Sequence, residues 1–478
     1  MRLRLILLAS IAWLALWAAG ATPGAAGAAG PPGAAGATPG AAGATPVLRG
    51  GHGLRVLAVK QVDPRLLAVT LGTAALPQPV SVYILLPPGY AARPRRRYPT
   101  LYLLDGTSGH ASDWTTLGGA ERVIGDRPLI TVMPDITLNG DGGGWCADWP
   151  DGAERWETFH IDQLLPWVDA NLRTRAGRGG RAIAGLSQGG FCSLSYAARH
   201  PDLFSVALGY SGAPDIWYDP DARAGAMAII NATEVGLDGV APDTFFGSPV
   251  SDGINWASHD PATLAENLRA TRLYMYWGDG QPGPLDSGPP NLSAMGIEGA
   301  VWRDNNDFQA RLDALAIPAY FEDYGAGTHS WPYWSRDLQW SIGTIMDDFA
   351  HPWGAPARVT YTSGEDRYAV YGWSVTMRRS ARELSTLADA DRLGFELEGS
   401  GSATVLTPAL YRPGARYRIA LSGPDAGGVR VVRASAGRRL LIRVPLGPSN
   451  PYPQYSPQAQ AAGTESYTTS VAIEPLRR

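Results

Sequence analysis

The chain predicts an α/β protein built on a mostly parallel sheet, followed by a smaller all-β unit. Three observations carry that expectation. Short apolar runs alternate with helix-forming stretches through the middle of the chain. A serine flanked by glycines stands where one such run meets a helix. Past residue 353 the helical stretches give way to alternating runs separated by turn residues. Strand–helix alternation argues for parallel strands covered on both faces, and short alternating runs argue for a sandwich.

Residues 1–20 read as an export leader. Arg2 and Arg4 supply the charged start, 5–17 the apolar core and 18–21 the small residues for cleavage. The apolar run is shorter than the about 20 residues a spanning helix needs. Residues 21–47 repeat GAAGATP-like units with hardly any group that could join a core, which predicts a flexible linker or stalk. The mature protein is therefore expected outside the cell, with cell-wall association as a further expectation.

The segment 48–353 is expected to form the α/β unit. Strands are predicted at 54–59, 66–71, 80–86, 98–104, 129–134, 181–185, 273–277 and 318–324, and helices at 159–172, 191–199, 261–269, 305–314 and 334–349. The segment 354–478 is expected to be a sandwich-like β unit in which only 379–390 has helical character.

Composition excludes some function classes. A formal net charge of −4 leaves no electrostatic footprint for nucleic acid. Lys60 is the only lysine, so basic charge is almost wholly arginine, as a GC-rich coding bias would produce. Cys146 and Cys192 are the only cysteines, and without Cys-x-x-Cys or His-x-x-x-His spacing they mark no metal site. A disulfide is allowed in an exported protein, but Cys192 falls on the helix after the serine, where a small buried residue is ordinary, so two free or buried thiols are expected. The Asn139–Asp141 turn lacks the spacing of a calcium loop, and the arginines of 93–97 read as a solvated run.

The chemistry centres on RAIAGLSQGG, residues 181–190. Gly185, Ser187 and Gly189 form Gly-x-Ser-x-Gly between a buried run and a helix, which is the pattern of a nucleophile elbow. Glycines are needed because side chains there would strike the neighbouring strand or helix. That context makes the layout an α/β-hydrolase one, with the site at the carboxyl ends of the strands.

A serine hydroxyl requires a base, and His329, on the loop after the last predicted strand, fits the chain order Ser–acid–His. His52, His110, His160, His200, His259 and His351 do not. The acid must lie between Ser187 and His329. Asp279, Asp286, Glu298 and Asp304 follow the preceding strand, and Asp279 and Glu298 qualify equally by position. The oxyanion donors are expected to be the N–H of Gln188, just after the serine, and that of Thr107, in the loop following 98–104. Asp105 is expected to shape that loop or to meet a substrate hydroxyl. Trp145, Trp149, Trp156, Trp331 and Trp334 lie near these residues in sequence, and Trp331 is the candidate to line a substrate groove.

These residues resemble the secreted antigen 85 mycolyltransferases and related extracellular esterases. The resemblance rests on LYLLDG at 101–106, ADWPDG at 147–152, RWETF at 155–159, AGLSQGG at 184–190, SHDPATL at 258–264, LYMYWGDGQP at 273–282, IEGAVWRDNNDFQ at 297–309 and GTHSWPYW at 327–334. It covers about 80–345. It implies an α/β-hydrolase with no cofactor and no metal, and a triad of Ser187, Glu298 and His329, so it selects Glu298 over Asp279. It also implies an acyl-ester lipid or glycolipid substrate and a sugar or water acceptor. The chain departs from the family at Ser108, where the transferases usually carry an arginine. It has Cys146 alone where they have a cysteine pair, and Trp277 where they have a reactive cysteine. These departures fall largely on the sugar-facing side, so the resemblance implies the fold and triad and not trehalose transfer. The reading of another class is a non-catalytic wall or matrix-binding protein on a hydrolase scaffold.

Overall fold

The computed structural model describes residues 46–476. The leader at 1–20 and nearly all of the linker at 21–47 lie outside them. The first sheet has nine strands in the order β1-β2-β3-β5-β4-β6-β7-β8-β9. The strands are β1 (Arg55–Gln61), β2 (Leu66–Gly72), β3 (Val80–Leu85), β4 (Thr100–Leu104), β5 (Ile130–Pro134), β6 (Arg181–Leu186), β7 (Val206–Tyr210), β8 (Arg272–Trp277) and β9 (Tyr320–Asp323). β1, β2, β3 and β5 pair antiparallel in succession, and from β5 through β4 to β9 every pairing is parallel.

The central strands β4, β5, β6 and β7 are buried at every residue, which is why they read as continuous apolar runs rather than alternating ones. Helices cover both faces. The one following β6 spans Gln188–Arg199, the one carrying Glu298 spans Leu292–Ala314, and the last long one spans Trp331–Ala350. The register sets Leu104 beside Gly185 and Leu186 beside Tyr210. The loops after β4, β6, β8 and β9 therefore open at one end of the sheet.

Several local expectations are corrected. Sequence reading missed β7, because VALGY is a five-residue run with no alternation and no flanking Pro or Asn to frame it. It also missed the helix Pro220–Thr233, capped by the Asp219 side chain on the N–H groups of Asp221 and Ala222. The helix expected at 261–269 is a 3-10 segment at Ala265–Ala270, and the α-helix lies before it at Gly253–His259. Asp260 ends that helix, its carboxylate taking up the N–H groups of Ile216 and Thr263. The helix expected at 305–314 starts thirteen residues earlier, at Leu292.

The segment 379–390 is not helical. It holds an irregular stretch at 379–384 and then β13 (Ser385–Asp391), whose Leu387 is fully buried and which pairs with β10 (Val359–Ser363) and β14 (Gly394–Gly399). Cross-strand pairing outweighs the helical propensity of its Arg, Glu, Leu and Ala residues.

Beyond residue 358 two antiparallel sheets share one apolar core. The six-stranded sheet runs β10-β13-β14-β19-β16-β17, and the four-stranded sheet runs β11-β12-β15-β18. Their further members are β11 (Arg367–Val370), β12 (Trp373–Arg378), β15 (Ser402–Leu406), β16 (Arg416–Gly423), β17 (Ala426–Arg433), β18 (Leu441–Pro445) and β19 (Tyr467–Pro475).

This unit sits firmly on the α/β unit. Asn267 donates to the Thr362 carbonyl and accepts from its N–H, at 2.9 and 2.8 Å. The Tyr361 hydroxyl donates to the Arg199 carbonyl at 2.6 Å, and Tyr371 donates through its hydroxyl to the Pro201 carbonyl and through its N–H to Asp202. The Tyr455 ring lies edge-on to Trp217 at 5.5 Å. Most of these contacts gather at the carboxyl end of the helix Gln188–Arg199.

Candidate active site

Ser187 sits between β6 and its helix with φ 52° and ψ −123°, outside the regions a side-chain-bearing residue prefers. Its neighbours show why glycine is required on both sides. A Cβ on Gly185 would stand 2.2 Å from the Gly189 carbonyl oxygen, and one on Gly189 2.0 Å from the Asp105 carbonyl oxygen. The turn is held by the Ser187 N–H on the Tyr210 carbonyl at 2.9 Å, and by the N–H groups of Gly190 and Phe191 on the Ser187 carbonyl. The hydroxyl is thus presented at the sheet end above a helix N-terminus.

His329 lies on the loop after β9. Its Nε2 is 2.8 Å from Ser187 Oγ and its Nδ1 is 2.6 Å from Glu298 Oε2. Glu298 is fully buried within the helix Leu292–Ala314. Its other oxygen accepts from Ser211 Oγ and from the Gly278 N–H, each at 2.8 Å. Both of its oxygens are thus engaged in hydrogen bonds. The Trp334 ring stands edge-on to the imidazole at 5.0 Å and closes one side. Asp286 steadies the loop by accepting from Thr328 Oγ1, from the Tyr333 hydroxyl and from the Gly283 N–H. Burial raises the Asp286 pKa, but these three donors outweigh it and hold the carboxyl below its usual range.

Of the four acids open by position, Glu298 alone meets His329. Asp279 accepts from the Gln281 N–H in a turn, and Asp286 serves the loop as above. Asp304 is buried beside Asp215, far into the same helix as Glu298.

The loop after β4 lies directly against Ser187: a Cβ on Gly106 would stand 3.2 Å from Ser187 Cβ. Thr107 follows at once, half-buried. Ser108 has φ 59° and its N–H binds the Asp141 carbonyl at 2.9 Å. Gln188 is the first residue of its helix, and its side chain donates to the Gly142 carbonyl at 3.2 Å. Both expected oxyanion donors therefore lie in segments that meet at Ser187.

Asp105 is 1% exposed, and neither carboxylate oxygen has a hydrogen-bond partner among the described residues. Burial drives its pKa well above the usual range, and the charges of Asp135 and Asp113 push it further. Its carboxylate lies under Gly109, where a Cβ would stand 3.0 Å from it. Trp331 opens the last long helix and lies edge-on to Trp114 at 5.3 Å and to Trp334 at 5.5 Å, which packs it into the second apolar layer. Trp145, Trp149 and Trp156 are core residues, packed on Phe191, Phe245 and His160 respectively.

The expectation of free thiols is overturned. Cys146 and Cys192 form a disulfide with Cα atoms 5.6 Å apart. Cys146 has φ 55° in a loop that folds back over the helix carrying Cys192, and nothing in the local sequence of either residue signals that approach. The Asn139–Asp141 turn is closed by Asp141 itself, which accepts from the N–H groups of Leu138 and Gly143. Sequence reading also missed His160 as a structural partner of this region. Its Nε2–H donates to the Asp135 carbonyl, the Tyr196 hydroxyl donates to its Nδ1, and burial lowers its pKa to about 4.

A serine, an imidazole and a carboxylate hydrogen-bonded in this order at the carboxyl end of such a sheet are the arrangement of a serine hydrolase on an α/β-hydrolase fold. A family model named "Esterase" and described as "Putative esterase" matches residues 73–344. The chain belongs to this esterase family. It is 33% identical over 273 residues to Esterase Rv1288 of Mycobacterium tuberculosis, a match covering 56% of this chain and 56% of that protein. The chain thus spans about half the length of the relatives it matches in this way. It is 31% identical over 252 residues to the diacylglycerol acyltransferase/mycolyltransferase Ag85B of Mycolicibacterium smegmatis, covering 50% of this chain and 74% of that one. Among solved structures, Mycobacterium tuberculosis MPT51 (FbpC1) aligns with 22% identity and a TM-score of 0.46, over 58% of this chain and 96% of that one.

Proposed function

We propose that the chain is an exported serine esterase or acyltransferase that acts on acyl esters through Ser187, His329 and Glu298. The observation that carries this reading is the pair of contacts at His329, 2.8 Å to Ser187 Oγ and 2.6 Å to Glu298. Glu298 holds Nδ1 protonated, so Nε2 is free to take the Ser187 proton as Oγ attacks the ester carbonyl. Charge gathers on the carbonyl oxygen, where the N–H groups of Gln188 and Thr107 receive it. His329 then passes its proton to the departing alcohol, leaving an acyl-enzyme on Ser187. Water or a sugar hydroxyl gives up its proton to His329 and attacks the acyl carbon, and Ser187 is regenerated. Export is supported by the leader-like 1–20 and by the disulfide, which persists in oxidising compartments. The substrate class is an acyl lipid or glycolipid, in line with the diacylglycerol acyltransferase/mycolyltransferase relatives.

The test is p-nitrophenyl butyrate turnover by the purified chain beside Ser187→Ala, with and without trehalose. A nitrophenol burst that the variant lacks is expected. Free acid as the sole product assigns hydrolysis, and acylated sugar assigns transfer. A wild-type chain that shows no burst with short or long acyl donors overturns the reading.

A further inference from the structure

The β unit has two opposite edges, and they differ in character. β10 and β11 lie at one end of their sheets, and this end seats on the α/β unit through Thr362 and Tyr371. β17 and β18 lie at the other end, and each pairs with a strand on one side only. Five strand spacings separate β10 from β17, about 24 Å. The second edge therefore points away from the α/β unit.

That edge is basic. Residues 407–446 carry eight arginines and one acid, Asp425, a net charge of +7 in a chain whose total is −4. Arg416 and Arg433 are directly paired across β16 and β17 on the outward face, where both are exposed. Arg430 reaches the Arg443 carbonyl at 3.3 Å, which brings β17 and β18 together at one corner. Glu474 on β19 is engaged by Arg418, so it does not neutralise the others. Exposed aliphatic side chains stand beside these arginines: Val429 at 53% and Val431 at 53% share the outward face of β17 with Arg433, and Leu441 at 57% shares that of β18 with Arg443.

Charge on an open edge strand can serve only to block pairing with other chains, and Arg430 alone would suffice for that. It does not account for large aliphatics kept in water beside the arginines. Arginine interleaved with exposed aliphatics is the composition of a surface that rests on anionic lipid: guanidinium groups meet the headgroup phosphates while the short apolar side chains enter the interface. A soluble polyanion would use the arginines and gain nothing from Val429, Val431 and Leu441.

We infer that the β17–β18 edge is a docking surface for an anionic phospholipid bilayer, held by Arg416, Arg430, Arg433 and Arg443 with Val429, Val431 and Leu441 at the interface.

The test is co-sedimentation of the purified full chain with vesicles of phosphatidylcholine containing about 30% phosphatidylglycerol, against pure phosphatidylcholine, at low and high salt. The wild type is expected to bind the anionic vesicles and to release as salt rises. Joint reversal of Arg416, Arg430, Arg433 and Arg443 to Glu should weaken binding about a hundredfold or more, since each basic group near the surface contributes severalfold. Val429→Ser, Val431→Ser and Leu441→Ser together should weaken it about tenfold with the arginines intact. Six of the seven positions lie on the edge strands β17 and β18, and Arg416 is exposed on β16 beside Arg433; an unchanged melting temperature and esterase burst would show that the variants fold. Binding that survives charge reversal overturns the inference. So does binding that ignores the serine substitutions and is competed equally by dextran sulfate, which would assign the edge to a polyanion.

Discussion

The left-handed backbone at Ser187 costs about 1–3 kcal/mol, and the fold sustains it through the Tyr210 carbonyl and three close-packed glycines. Ser187→Ala keeps the backbone and removes the hydroxyl, so turnover should fall by about 10⁴ or more while the melting temperature moves by only a few degrees. Glu298→Gln is the sharper test of the acid. Three groups donate to that carboxylate, and an amide must present its NH₂ to one of them. The rate constant kcat should fall by about 10³–10⁴ with KM little changed, measured with p-nitrophenyl butyrate. The candidate triad was legible because chain order constrains it tightly. Position alone left Asp279 and Glu298 level, and only the family resemblance selected Glu298, since Glu298 reaches His329 through a helix that begins at Leu292.

At the scale of elements, the disulfide fastens the loop around Cys146 to the helix that follows Ser187. Closing a separation of 46 residues stabilises the fold by up to about 4 kcal/mol through the unfolded chain. Cys146→Ala with Cys192→Ala should therefore lower the denaturant midpoint markedly, read by urea titration with and without reductant. Reductant should reproduce the effect in the wild type and change nothing in the double variant. Sequence reading placed Cys192 on its helix but had no means of seeing Cys146 arrive, because a loop at positive φ carries no periodicity. The same blindness explains β7: an unframed run of five buried residues looks like any short apolar stretch. The segment 379–390 failed for the opposite reason, since its helical residues are overruled by partners distant in sequence.

Taken as a whole, the molecule holds buried acids whose protonation couples to stability. Burial raises the Asp215 pKa from 3.8 to about 8, helped by the charge of Asp260 and opposed by backbone N–H groups from Asp219, Trp217 and Tyr218. The folded state binds that proton more tightly than the unfolded state does. Its contribution to stability is therefore greatest at low pH, declines as pH rises from about 4 to about 8, and is flat above. Asp215→Asn should flatten the fall of melting temperature across that window. A profile as steep as the wild type's would show that other acids set it.

The docking of the two units has a measurable consequence too. Removing residues 356–478 would strip the carboxyl end of the Ser187 helix of Tyr361 and Tyr371, so the remaining chain should melt earlier or aggregate during purification. The two-unit layout itself was readable from the change of period near residue 353; the contacts between units were not, as no local pattern encodes them.

The strand β19 lies between β14 and β16, yet it follows both in the chain, and β16 pairs with β19 along six residues. Until it emerges from the ribosome or the export machinery, the six-stranded sheet is two separate pieces with a gap at its middle. A nascent chain interrupted between residues 433 and 467 would present two raw edges instead of a closed surface, and degradative enzymes would find it before any substrate did. The layout makes assembly of this unit a test that only a copy synthesised through β19 passes.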